Sequence, residues 1–174
     1  FLKGDIVVHE GFLKGQDVFQ RYKIISQLGA GGFGAVFKAE QTTTQQMVAI
    51  KVLITGMHGP ASMREEQQKR FWREVALTGK LSNPHTVRLI DSGFMPGSAW
   101  QDVLDNGQIQ DARALETIKG FVGEDAPVMV LELVQGQSLR DVLRTEGQMS
   151  PARARRICGQ VLESLAEAHT LGIV

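Results

Sequence analysis

The chain has 174 residues, 43% of them hydrophobic and 22% charged, an ordinary globular composition that excludes a disordered tail, a collagen-like fibre and a disulfide-stapled miniprotein. Nineteen Lys plus Arg balance nineteen Asp plus Glu, so no net field draws it to nucleic acid or to an anionic membrane. A single cysteine, Cys158, cannot form an internal disulfide and points to a reducing, cytoplasmic compartment; no apolar run approaches the ~18 residues of a membrane span, and no signal peptide opens the chain.

Residues 1–20 read as a lead-in arm with one short β-prone run, Ile6-Val7-Val8. Phe1-Leu2-Lys3-Gly4 recurs as Phe12-Leu13-Lys14-Gly15, too few copies for a repeat architecture. Tyr22 to Leu28 is β-prone and ends at a glycine cluster; Ala35 to Glu40 forms a second strand, Gln41 to Gln46 a polar turn and Met47 to Leu53 a third strand. The third strand is apolar at nearly every position, so both faces should be covered, with Lys51 the exception. Three strands with short links predict an antiparallel meander.

Ser62 followed by Glu65 fits a capping box, and the spacing predicts a helix to about Leu81 with Phe71, Val75, Thr78 and Leu81 on one face. Asn83-Pro84 stops it, and Thr86 to Ile90 reads as a fourth strand ended by Asp91-Ser92-Gly93. Residues 94–127 read as an irregular insertion with one short helix over 109–119. Val128 to Val134 is a fifth strand. Ser138 with Asp141 caps a short helix to Arg144, and Ser150-Pro151 opens a helix that Gly172 ends. Its stripe of Ile157, Val161, Leu165 and Ala168, widened by Cys158 and Leu162, should dock on something apolar, which makes Cys158 a packed thiol rather than a reactive one.

Gly29-Ala30-Gly31-Gly32-Phe33-Gly34-Ala35-Val36 matches G-x-G-x-x-G-x-V. A dinucleotide site would place a helix after the last glycine, but Ala35-Val36-Phe37-Lys38 is a strand pattern; a P-loop would need Lys and Ser or Thr there. A flap between antiparallel strands remains, in which glycines let backbone N–H groups approach phosphate oxygens. The plainer alternative is a glycine-rich hairpin. One strand later stands Val48-Ala49-Ile50-Lys51, and a lysine inside a covered strand needs a counter-charge unless it reaches water. Glu74, beside Phe71 on the helical wheel, is the candidate.

Taken together with Asn83-Pro84-His85-Thr86-Val87-Arg88-Leu89 and Val130-Leu131-Glu132-Leu133-Val134-Gln135-Gly136-Gln137-Ser138-Leu139, this spaced set resembles the amino-terminal part of a eukaryotic-type Ser/Thr protein kinase. Residues 166–174 resemble the end of the helix leading into the family's catalytic loop. The resemblance implies an α+β fold. Residues 21–133 are the small lobe, a five-stranded antiparallel sheet plus one helix with the insertion at 94–127; residues 134–174 are the hinge and one or two helices of an incomplete helical lobe. It implies ATP as the ligand. Gly29, Ala30, Gly31, Gly32, Phe33 and Gly34 form the flap over its phosphates, and Leu28, Val36 and Ala49 sandwich adenine. Lys51 meets the α- and β-phosphates and is held by Glu74. Leu131 is the gatekeeper, the backbone carbonyl of Glu132 and the amide of Val134 meet the adenine edge, and Ser138 lies where ribose is contacted.

The family's His-Arg-Asp, Asp-Phe-Gly and Ala-Pro-Glu motifs do not occur in these 174 residues, so the ligands of Mg2+ lie outside them and the isolated chain is expected to be inactive. The expected partners are ATP, a protein substrate and, through an exposed helix over 150–171, a second copy of the chain; nucleic acid is not among them. A pseudokinase-like nucleotide-sensing or interaction module is the alternative, disfavoured because a scaffold need not keep a lysine–glutamate pair. A dinucleotide-dependent oxidoreductase is disfavoured by the strand after Gly34.

Overall fold

The computed structural model describes residues 21–31, 34–53, 61–105, 111–120, 122–123 and 125–173. Five strands, β1 (Tyr22–Gly31), β2 (Gly34–Gln41), β3 (Met47–Val52), β4 (Leu89–Met95) and β5 (Ala126–Glu132), form one sheet in the order β1-β2-β3-β5-β4. Every neighbouring pair is antiparallel. The helices are α1 (Ala61–Thr78), α2 (Gly97–Asp105), α3 (Ala112–Lys119), α4 (Leu139–Glu146) and α5 (Pro151–Thr170).

Period-two alternation makes the main core. Ala35, Phe37 and Ala39 of β2, Val48, Ile50 and Val52 of β3, and Val128 and Val130 of β5 all point to one face and are fully buried. The opposite face carries α1, whose Phe71 and Val75 pack on Leu53 and Met129, with Trp72, Leu89 and Leu131 around them. Burying side chains of this size contributes about 1.5–3 kcal/mol each.

β1 and β4 lie at opposite rims of the sheet, yet they meet. Arg21 Nη2 is 2.8 Å from Asp91 Oδ2, and the Tyr22 hydroxyl donates to the same carboxylate at 3.4 Å. The sheet is therefore curled until its rims face each other. The helices α2 and α3 fill the seam: Trp100 of α2 and Ile118 of α3 are fully buried among the core residues of all five strands. Among the described residues of 94–127, α3 lies within the helix expected over 109–119, and α2 is a second helix in what was expected to be irregular chain. α2 was missed because Pro96-Gly97-Ser98 carries turn chemistry at its start, and the core, through Trp100, supplies what the local pattern lacks. Gly97 N–H donates to Asp125 Oδ1 at 2.8 Å, and Gly123 N–H to Gly97 O at 3.2 Å, so the two ends of the inserted hairpin are latched together.

Several boundaries differ from expectation, among them the fifth strand, which spans Ala126–Glu132 rather than 128–134. The fourth strand starts later and runs through Asp91-Ser92-Gly93, which pair with Val130, Met129 and Val128; a turn-like tripeptide is kept extended by the long-range Arg21–Asp91 contact and by its place on a sheet rim. Ser62 lies inside α1 rather than capping it, and α1 ends at Thr78, where Gly79, Lys80 and Leu81 close a turn onto Val75, Leu77 and Thr78 carbonyls. The first strand does not stop at Leu28 but continues to Gly31.

The two downstream helices begin where the caps predict. Ser138 Oγ accepts from Asp141 N–H at 3.1 Å, and Ser150 Oγ from Arg153 N–H at 3.3 Å, with Pro151 at the first helical position. The stripe on α5 is not packed: Val161, Leu162 and Leu165 are exposed, and so is Cys158, contrary to the expected packed thiol. Neither α4 nor α5 has a buried residue among those described.

Candidate active site

The candidate site is assembled on the sheet face that carries α1. Since Val48, Ile50 and Val52 enter the main core, Ala49 and Lys51 face the other way; likewise Val36 on β2, and Met129 and Leu131 on β5. Register brings them side by side. Val36 pairs with Lys51, Lys51 with Met129, and Ala49 with Leu131, while Gly29 lies opposite Val36 across the first ladder. One contiguous patch results, apolar except for the lysine.

Lys51 Nζ donates to Glu74 Oε1 at 2.6 Å, the lysine side chain being 26% exposed and the glutamate 51%. α1 is rolled to this orientation by its buried face. Phe71, one turn before Glu74, is buried beneath it; the Trp72 ring stands edge-on to Phe71 at 5.6 Å and lies 5.2 Å from Phe94 of β4. A partly exposed ion pair adds only about 0–1 kcal/mol to stability. Its consequence is positional: the ammonium is fixed over the patch, one strand from the glycines.

Gly34, where the chain enters β2, is required by the fold. It adopts φ +148°, and a Cβ there would sit 2.2 Å from Val52 O. Gly29 differs. It is outside the left-handed region, and a Cβ would meet no atom within 4 Å. Gly32 and Phe33 lie outside the described residues. Leu28 and Val134 are exposed, at 51% and 67%. Glu132 is anchored to the start of β4, its N–H donating to Arg88 O at 3.0 Å and its carboxylate accepting from Arg88 N–H at 2.9 Å. Ser138 is engaged in capping, its hydroxyl also donating to Asp141 Oδ2 at 2.6 Å.

Next to the pair is a cavity of about 340 Å³ lined by Lys51, Leu53, Glu66, Gln67, Arg70, Phe71 and Glu74. Glu66, Gln67 and Arg70 were absent from the sequence-based site. The helical period held the signal, since 66, 70 and 74 repeat every four residues on one face. Arg70 pairs with Glu66 at 2.5 Å, so the cation one turn before Glu74 on the same face of α1 is already balanced.

A second overlooked residue is Glu167 on α5. Its carboxylate accepts from Ser82 N–H at 3.0 Å, Ser82 Oγ at 2.6 Å and Asn83 N–H at 3.0 Å, tying α5 to the loop between α1 and β4. Thr86 and Ser164 share a hydroxyl contact, and His85 Nε2 is 3.4 Å from Glu163 Oε2. The Ser82 hydroxyl, then the Ser82 and Asn83 amides, hold the Glu167 carboxyl below its ordinary value. Three donors on one carboxylate could not be foreseen, because 85 residues separate Ser82 from Glu167.

With this geometry established, the comparisons with known proteins are specific. Residues 22–174 match the family described as protein kinase domain. The chain is 34% identical over 154 residues to the serine/threonine-protein kinase pkn2 of Myxococcus xanthus, covering 88% of this chain and 15% of that protein. It is 29% identical over 160 residues to pkn3 of the same organism, covering 92% and 24%, and 30% identical over 155 residues to the serine/threonine-protein kinase PknD of Mycobacterium tuberculosis, covering 89% and 18%. The chain thus spans less than a quarter of the length of these relatives. Its match over residues 22–174, together with its curled antiparallel sheet and its lysine–glutamate contact, places this chain in the protein kinase family.

Proposed function

We propose that this chain is the ATP-binding part of a Ser/Thr protein kinase, which in the full-length protein transfers the γ-phosphoryl group of ATP to a protein hydroxyl. The observation that carries the reading is the 2.6 Å contact of Lys51 with Glu74 beside an apolar patch of Val36, Ala49 and Leu131. An ammonium so fixed can neutralise phosphate oxygens without reorganising, which is what phosphoryl transfer asks of its protein. Glu74 is the positioning residue for Lys51. The patch offers flat apolar walls to an adenine ring, with Leu28 and Val134 adding exposed apolar surface. Gly29 supports the flap reading: neither its backbone conformation nor its packing demands glycine, whereas a phosphate approaching the backbone does. Ser138 is the proposed ribose contact, through a hydroxyl that also caps α4.

Mg2+ is supplied with ATP in such a reaction, where it neutralises phosphate charge. Among the described residues no group of three or more His, Cys, Asp or Glu is placed to hold a metal ion; its ligands are proposed to belong to the family motifs that do not occur in these 174 residues. Because those motifs do not occur in it, we propose that the isolated chain transfers no phosphoryl group. The lysine–glutamate pair favours this reading over a pseudokinase-like interaction module. We place the reaction in the cytoplasm, where ATP is available and the single Cys158 stays reduced. Among the described residues no helix is long and apolar enough to cross a membrane.

Titration with ATP-Mg2+ tests the proposal. The chain should bind ATP, and Lys51→Met should weaken binding at least about tenfold, the worth of one charged hydrogen bond. Equal affinities in the two proteins would defeat the assignment.

A further inference from the structure

The inserted segment between β4 and β5 takes no part in the proposed nucleotide site. The structure gives it a contact with the strand that becomes the glycine flap. Asp111, which leads into α3, accepts the Gln27 backbone N–H on Oδ2 at 2.9 Å, and Thr117 Oγ1 donates to Gln27 Oε1 at 2.8 Å. Main chain and side chain of one residue are thus both held, from 84 and 90 residues away.

The place of this grip matters. β1 is an outer strand of the sheet, and its ladder to β2 is irregular between Gln27 and Gly29. The rim of β1 beyond Gln27 therefore carries the flap with less support than a central strand would give. The gripping hairpin, by contrast, is firm. Trp100 and Ile118 are fully buried, and Gly97 is bonded to both Asp125 and Gly123 at the hairpin base.

We infer that the α2–α3 hairpin is a splint for the glycine flap, with Asp111 and Thr117 acting as positioning residues for ATP phosphates through Gln27. The inference rests on the ATP-site reading for its functional half; its mechanical half, that the hairpin fixes β1, stands independently. Gln27 lies two residues before Gly29, so a shift of its backbone moves the flap glycines relative to Lys51 across the β1–β2–β3 ladders.

Three variants separate positioning from folding. Asp111→Ser keeps a side chain able to cap α3 but shortens its reach toward Gln27; Asp111→Asn keeps the reach and an acceptor oxygen; Thr117→Val removes the hydroxyl at constant shape. In the unliganded chain, backbone amides of residues 26–31 should exchange faster in Asp111→Ser and Thr117→Val, and near the original rate in Asp111→Asn. Titration should show ATP affinity reduced about fivefold in the first two variants, with adenosine affinity unchanged, since adenosine carries no phosphate for the flap to meet. Parallel losses of ATP and adenosine affinity, or unaltered exchange over 26–31, would overturn the inference. If the unsubstituted chain binds no ATP, the nucleotide reading fails, and exchange confined to β1 alone decides whether the splint exists.

Discussion

In the proposed site Lys51 supplies charge and the glycines before it supply backbone shape, and the glycines are not equivalent. Gly34→Ala forces a Cβ to within 2.2 Å of Val52 O at φ +148°, so it should destabilise the fold by roughly 2–4 kcal/mol in urea denaturation. Gly29→Ala meets no protein atom, so stability should change by no more than about 0.5 kcal/mol, while ATP affinity falls. Finding the two substitutions equally destabilising would remove the distinction. Glu167 carries a pH dependence. Its carboxyl titrates below its ordinary value in the folded chain because the ionised form accepts the Ser82 hydroxyl and amide and the Asn83 amide. A lowered folded value means the contribution is complete above the unfolded value and is lost as pH falls through the folded one. The thermal midpoint should therefore drop on acidification from pH 5 more steeply in the unsubstituted chain than in Glu167→Gln, whose side chain cannot titrate. Superimposable pH profiles would show that the clamp contributes nothing. Of these residues, Lys51 and Glu74 were legible in the sequence, because a charge inside an apolar strand demands a partner and a helix period offers one. Glu167 and Asp111 were not: each acts on backbone groups more than 80 residues away, and no local pattern encodes that.

Among elements, β2, β3, α4 and α5 were readable from alternation and caps, signals that are local and that tertiary contacts did not override. So was α3, which lies within the helix expected over 109–119, whereas the bounds of β4 and the helix α2 were not. Asp91-Ser92-Gly93 carries turn chemistry, yet it pairs with β5 because Arg21 and Tyr22 hold the Asp91 carboxylate from the far rim. Helices α2 and α3 are short, and their stability comes from Trp100 and Ile118 entering the core rather than from propensity. That makes the insertion part of the folding unit. Trp100→Ala should cost about 3–5 kcal/mol in chemical denaturation, the value for a fully buried aromatic; a loss below 1 kcal/mol would return the segment to the status of a surface decoration.

At the scale of the whole molecule, the sheet and its two packed faces are complete, whereas α5 lies against the α1–β4 loop through polar contacts and leaves Val161, Leu162 and Leu165 exposed at 53%, 64% and 45%. An apolar stripe of this kind favours association, and we propose that the isolated chain pairs with a second copy through α5. Light scattering should report a dimer or larger species, and Leu162→Glu should return it to the monomer mass; a monomer at high concentration would refute this. The kinase architecture was legible at this scale because it rests on spaced motifs, each tied to its own strand or helix. The curl of the sheet was not, since nothing in the strand sequences announces that two rims will touch.

That curl has a consequence for where the molecule yields. Ladder bonds run from β1 through to β4, but the circle is closed, among the described residues, by one carboxylate and a wedge of two short helices. A hoop fastened by a clasp opens at the clasp. Loosening of Trp100 or Asp91 would free β1 first, so the glycine-bearing end of β1 is the portion of the sheet whose order depends most directly on how well the hoop stays shut.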